Sequence, residues 1–207
     1  MAPARVRARW CGDASTGGVS PAAAGALAPC ALRAADVETP PDPRLTGPAT
    51  IVVWKERRRA AVYRDGALAE TPQGPACWPV ALAPAAPPGP KLQQGDLRTP
   101  EGWYRTSDRP WSKFYHALNI SYPGAADADR GLRDGLVTVA QADAIRKAVA
   151  ADQLPPDGTK LGGQLLLHGG GSSADWTLGC VGFEDEHIDA LRALLPADLR
   201  TDVLLLP

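Results

Sequence analysis

Cysteine is scarce in this chain, with four among 207 residues (Cys11, Cys30, Cys77 and Cys180), and no C-x-x-C or H-x-x-x-H pair occurs. The common structural and helical zinc arrangements are therefore not expected. No apolar run is long enough to span a bilayer as a helix. Neither sign of charge dominates: 22 Lys and Arg stand against 23 Asp and Glu, a net charge of −1. A dedicated nucleic-acid binder needs a basic face, so that class is not expected either. Aromatics are few, six Trp, four Tyr and two Phe, which leaves Val, Leu and Ala to fill most of the core. Abundant instead are the breakers, 21 Gly and 21 Pro. They disfavour a helical bundle and favour short strands joined by many turns. The length suits one domain able to bury a core without a metal or disulfide staple.

Residues 1–46 are rich in Ala, Pro and Gly and lack periodicity, and are read as a leader and linker without ordered structure. Arg5, Arg7 and Arg9 resemble the charged start of an export signal, but the Ala-rich run from Ala22 to Ala28 is a poor apolar segment. Pro29 before Cys30 stands where a lipoprotein cleavage site wants a small residue. If the chain is exported, Cys11 and Cys30 are candidates to pair with each other.

The domain is expected over residues 47–207. A β-branched run from Ala49 to Trp54 opens it, Arg57-Arg58-Arg59 reads as an exposed turn, and Ala60 to Arg64 with Asp65-Gly66 predicts a hairpin returning through Ala67-Leu68-Ala69. Cys77 falls in a half-buried strand, where a small core thiol is expected. Pro84 to Pro90 is a loop. Pro100 and Gly102 predict a tight turn before a strand at Trp103-Tyr104-Arg105, and a further strand is expected from Tyr115 to Tyr122. Thr138 and Gln141 form a capping-box pattern ahead of Ala142, Ile145 and Val149, predicting a helix that ends before Pro155-Pro156. Gln164 to Leu167 is apolar on consecutive positions, as in a strand buried on both faces. A second helix, capped by Asp185, is expected to about Leu195, and Val203 to Leu206 is expected to be the closing strand.

The chemistry concentrates between Leu167 and Cys180. A buried strand delivers His168, a small-residue loop follows, and Thr177-Leu178-Gly179-Cys180 leads toward a helix. A thiolate with an imidazole in reach is what thiol acyl transfer requires. Glycine before the nucleophile lets backbone approach a carbonyl, and the N–H groups of Gly179 and Cys180 are candidates for the oxyanion. Gly169-Gly170-Gly171 lacks a following G-K-[ST], so no nucleotide is expected. A metal site from His116, His168, His187 and Cys180 is disfavoured by their wide separations.

These residues resemble the L,D-transpeptidase catalytic domain of the YkuD type, which carries His-Gly after a strand and a later [Ser/Thr]-x-Gly-Cys. Here these are His168-Gly169 and Thr177-Leu178-Gly179-Cys180. The opening hairpin, Gly95-Asp96 with Arg98-Thr99-Pro100-Glu101-Gly102, Ser121-Tyr122-Pro123 and Leu161-Gly162-Gly163 match it in order, over about residues 49–207. Leu178 stands where many members have His, and Gly182 where many have Arg or Asn, which leaves open how a substrate carboxylate is met. The resemblance implies a mostly β fold with a few helices (α+β), sandwich- or barrel-like. It implies action on peptidoglycan stem peptides in the cell envelope or periplasm, serving wall biogenesis and cell shape, without cofactor or metal. Cys180 would be the nucleophile and His168 the base. Transpeptidation, hydrolysis of the same bond, and a wall-peptide binding module without turnover remain open at this level. His116, Trp176 and Thr177 are candidate substrate contacts.

Overall fold

A computed structural model describes residues 30–32 and 42–207. A short 3-10 helix, Pro43–Thr46, precedes β1 (Thr50–Trp54). Then come β2 (Arg59–Arg64), β3 (Ala67–Leu68), β4 (Glu70–Thr71), β5 (Gly74–Pro75), β6 (Cys77–Pro79), β7 (Gly102–Arg109) and β8 (Ala117–Ile120). Helices α1 (Ala125–Arg133) and α2 (Val139–Ala150) follow. β9 (Leu165–His168), β10 (Val181–Gly182), α3 (Asp185–Ala193) and β11 (Asp202–Leu206) complete the chain. The fold is mostly β with three helices among the described residues.

Nine strands form one sheet in the order β10-β9-β8-β7-β11-β1-β2-β3, with β6 paired to β2. β1 runs parallel to β11 and β10 parallel to β9; the other pairs in this sheet are antiparallel. Just past β6, Ala81 exchanges two 2.8 Å backbone hydrogen bonds with Gly182 of β10. The segment 77–81 thus touches both the β2 side and the β10 end, and the sheet curls into a half-barrel. β4 and β5 form a separate ribbon.

β1 shows why both sheet faces need cover. Ile51 and Val53 enter the main core with Val62, Leu118, Leu167, Ile188 and Val203. Val52 and Trp54, on the opposite face by the strand's two-residue period, join Cys30, Leu45, Tyr63 and Leu204. That second layer comes from the segment read as leader. The Tyr63 hydroxyl donates to the Cys30 carbonyl at 2.7 Å, Arg44 lies 4.0 Å over the Trp103 ring, and Leu45 is buried. Cys30 is disulfide-bonded to Cys77, so the pairing of Cys30 with Cys11 is overturned, as is a free thiol at Cys77. Cys11 itself, and the export-signal residues Arg5 to Pro29, lie outside the described residues.

Three further expectations change. Pro100 stands outside any turn, and the turn sits earlier, at Gln94-Gly95, where Asp96 accepts hydrogen bonds from the N–H groups of Leu92, Gln93 and Arg98. Helix α1 was not visible in the sequence; its apolar positions are few, and Ala128 and Gly131 bury it against Leu161 and α2. Glu184, not Asp185, occupies the N-cap of α3. α2 carries the expected capping box, with Thr138 accepting from Gln141 N.

Candidate active site

β9 and β10 meet as parallel neighbours, Leu167 opposite Val181 and His168 opposite Gly182. Continuing that register back one residue sets Cys180 beside Leu166, and the Leu166 N–H points at Cys180 Sγ at 3.3 Å. Leu166 and His168 share a sheet face because side chains alternate. His168 thus ends β9, and Cys180 stands just before β10, the strand paired with it, with its sulfur against the backbone of Leu166. Both are buried.

His168 is oriented by its own loop. Nδ1 lies 2.6 Å from the Gly169 carbonyl, which can only accept, so Nδ1 carries the hydrogen. Nε2 is buried without a hydrogen-bond partner among the described residues, a lone pair held ready to accept. Phe114 stacks on the ring at 4.6 Å between centroids, and Trp176 meets it edge-on at 5.3 Å. Burial holds the imidazole below its ordinary titration range, the Gly169 carbonyl opposing in part.

The turn carrying Cys180 is fixed from three sides. Gly179 has φ of 116°, and a Cβ there would sit 2.8 Å from the Arg98 carbonyl, so only glycine fits. Thr99 Oγ1 donates to the Gly179 carbonyl at 3.0 Å, and Thr177 Oγ1 to the Cys180 carbonyl at 2.8 Å. The N–H groups of Trp176 and Thr177 both reach the Leu82 carbonyl. Gly179 N–H lies 3.4 Å from Thr177 Oγ1, a long bond. No described cysteine is free: Cys180 is itself disulfide-bonded, so thiol chemistry here starts from the reduced form.

The loop between the two residues is nailed to the start of α3. Gly170 N–H donates to Asp185 Oδ1 at 2.8 Å, and the N–H and hydroxyl of Ser172 donate to Glu184 Oε1. Asp185, expected as a cap, spends its carboxylate on this loop.

The other expected contacts scatter. Thr177 holds the turn from a buried position rather than facing a cleft. Trp176 lines His168 and bonds the Gly171 carbonyl at 3.0 Å through Nε1. His116 lies just before β8, half-exposed, with Nδ1 2.5 Å from Asp189. His187 rests against Trp78, so the three histidines serve three different neighbourhoods. Asp175 pairs with Arg58 at 2.8 Å and accepts from Leu82 N–H. Phe114 had no signal in the sequence, since stacking on a ring leaves no spacing rule; Arg98 stood out there only as part of the family pattern.

The family model for the YkuD L,D-transpeptidase catalytic domain matches residues 48–203. The chain belongs to this family. A curated relative, "Putative L,D-transpeptidase YafK" of Escherichia coli K12, is 46% identical over 46 residues, 21% of this chain and 19% of its own length. Among solved structures, the helical cell shape determining protein Pgp2 of Campylobacter jejuni is similar at 19% identity and a TM-score of 0.49, over 76% of this chain and 46% of that one. Bd1075 of Bdellovibrio bacteriovorus is similar at 21% identity and a TM-score of 0.43, over 77% and 48%. The match thus spans about a fifth of YafK and less than half of these two structures.

Proposed function

We propose that the reduced chain is a cysteine acyltransferase on peptidoglycan stem peptides, an L,D-transpeptidase acting in the cell envelope. What supports this most is one juxtaposition: a buried His168, its Nε2 without a hydrogen-bond partner among the described residues, ends the same strand whose Leu166 N–H meets the Cys180 sulfur. In the forward step His168 Nε2 takes the thiol proton, and the sulfur attacks the carbonyl carbon of the L-centred diamino acid at the third stem position. The C–N bond to the terminal D-alanine breaks, and His168 returns its proton to the leaving amine. The N–H groups of Gly179 and Cys180 meet the oxyanion, with Gly179 N–H leaving its long contact with Thr177. An amine of a second stem then attacks the thioester, restoring the thiol and forming the cross-link. With water in place of the amine the same site is an L,D-carboxypeptidase.

Thiol-reduced protein incubated with tetrapeptide stems tests this by mass spectrometry. Release of D-alanine with a dimeric product is expected; a bare tripeptide product would assign hydrolysis. No release, together with unimpaired binding of the tetrapeptide, would leave a binding module.

A further inference from the structure

Beside the nucleophile turn lies a cavity of about 110 Å³ lined by Lys55, Arg58, Leu82, Arg98, Thr99 and Glu101. Its cations are not equivalent. Lys55 Nζ is 2.5 Å from Glu101, and Arg58 is 2.8 Å from Asp175, so both are neutralised within the protein. Arg98 makes no ion pair among the described residues, and its Nε is buried without a hydrogen-bond partner. A donor on a charged group that is shut from water and unmatched costs free energy, unless a ligand supplies the acceptor.

The walls of this cavity also hold the turn. The Arg98 carbonyl is the atom that excludes a Cβ at Gly179, Thr99 donates to the Gly179 carbonyl, and Leu82 takes the N–H groups of Trp176 and Thr177. Arg98 is also held in place: Asp96 Oδ1 accepts its backbone N–H at 3.1 Å, and Asp96 is anchored by Lys91 at 2.8 Å. We propose that Arg98 receives a carboxylate of the donor stem peptide in this cavity, making it a specificity-determining residue. This rests on the reading of Cys180 as the nucleophile. A guanidinium matches a carboxylate through two parallel hydrogen bonds, and the volume admits a group the size of an alanine carboxylate. Glu101 on the same wall disfavours a second anion.

The test compares three tetrapeptides with the reduced protein: the free acid, the C-terminal amide, and the amide of the diamino acid's side-chain carboxylate. The wild-type protein is expected to favour the free acid by at least tenfold in kcat/KM over one of the two amides, and which amide suffers identifies the carboxylate. Arg98→Gln should erase that preference, chiefly through KM, and Arg98→Lys should keep part of it. A preference unchanged in Arg98→Gln, with turnover retained, overturns the proposal and leaves the acyl-transfer reading standing. Should the wild-type protein turn over none of the peptides, the acyl-transfer reading fails. Binding to Cys180→Ser protein then decides alone: affinity for the free acid that falls tenfold or more with Arg98→Gln supports the receptor, and unchanged or undetectable affinity overturns it.

Discussion

Two residues carry opposite demands. His168 must accept a proton while buried among Phe114, Trp176 and the 169–172 loop. Burial favours the neutral ring, the form a base needs, so its folded pKa lies below the ordinary value of about 6.5. The acid limb of kcat/KM should therefore fall below about pH 6.5, and a limb above it would place another group in that role. The same shift couples to stability. Between about 6.5 and the lower folded value, the unfolded chain binds more protons than the folded one, so acidification through that window destabilises the fold. His168→Gln should flatten that part of the stability curve, read by denaturant titration at several pH values. Cys180→Ala should remove turnover and leave the melting temperature of the reduced domain within a few degrees. His116→Ala should leave the acid limb in place, because His116 engages Asp189 rather than the Cys180 turn.

At the scale of elements, the turn at Gly179 is where geometry and function are least separable. Gly179→Ala meets the Arg98 carbonyl at 2.8 Å with φ of 116°. Strain of this kind costs roughly 1–3 kcal/mol, so a clear fall in denaturant midpoint and loss of turnover together are expected. Thr138→Ala, at the cap of α2, should cost about 1 kcal/mol and leave turnover unchanged, since that helix packs on α1 and Leu161. The buried pair of Lys91 and Asp96 organises the segment that presents Arg98 and Thr99. α2, β1, β9 and β11 were legible in the sequence because caps and consecutive apolar residues act locally. α1 was not, since its burial depends on Leu161 and α2 rather than on its own periodicity. The His168 and Cys180 pair was legible through its motif. Phe114 and the carboxylates of Glu184 and Asp185 on the loop were not, because the fold alone brings them there.

For the whole molecule, the N-terminal segment matters more than its composition implied. The apolar run of β1 needs cover on both faces, and Cys30, Leu45 and Arg44 provide the second. Deleting residues 1–46 removes that layer and the Cys30–Cys77 bond, which closes 47 residues of chain. Burial of Leu45 alone is worth roughly 1.5–3 kcal/mol, and a native disulfide typically contributes about 2–4 kcal/mol. A marked drop in melting temperature is expected for the truncated chain and a smaller one for Cys77→Ser; an unchanged value in both would mean that this layer is dispensable. The central claim, that Cys180 forms the acyl thioester with His168 as base, is tested most directly by intact-protein mass spectrometry after brief exposure of the reduced protein to a tetrapeptide stem. The account predicts a gain equal to the tetrapeptide less one D-alanine, mapped to the peptide containing Cys180 and absent in both Cys180→Ala and His168→Ala. An adduct that persists in Cys180→Ala, or forms at full rate in His168→Ala, would contradict it.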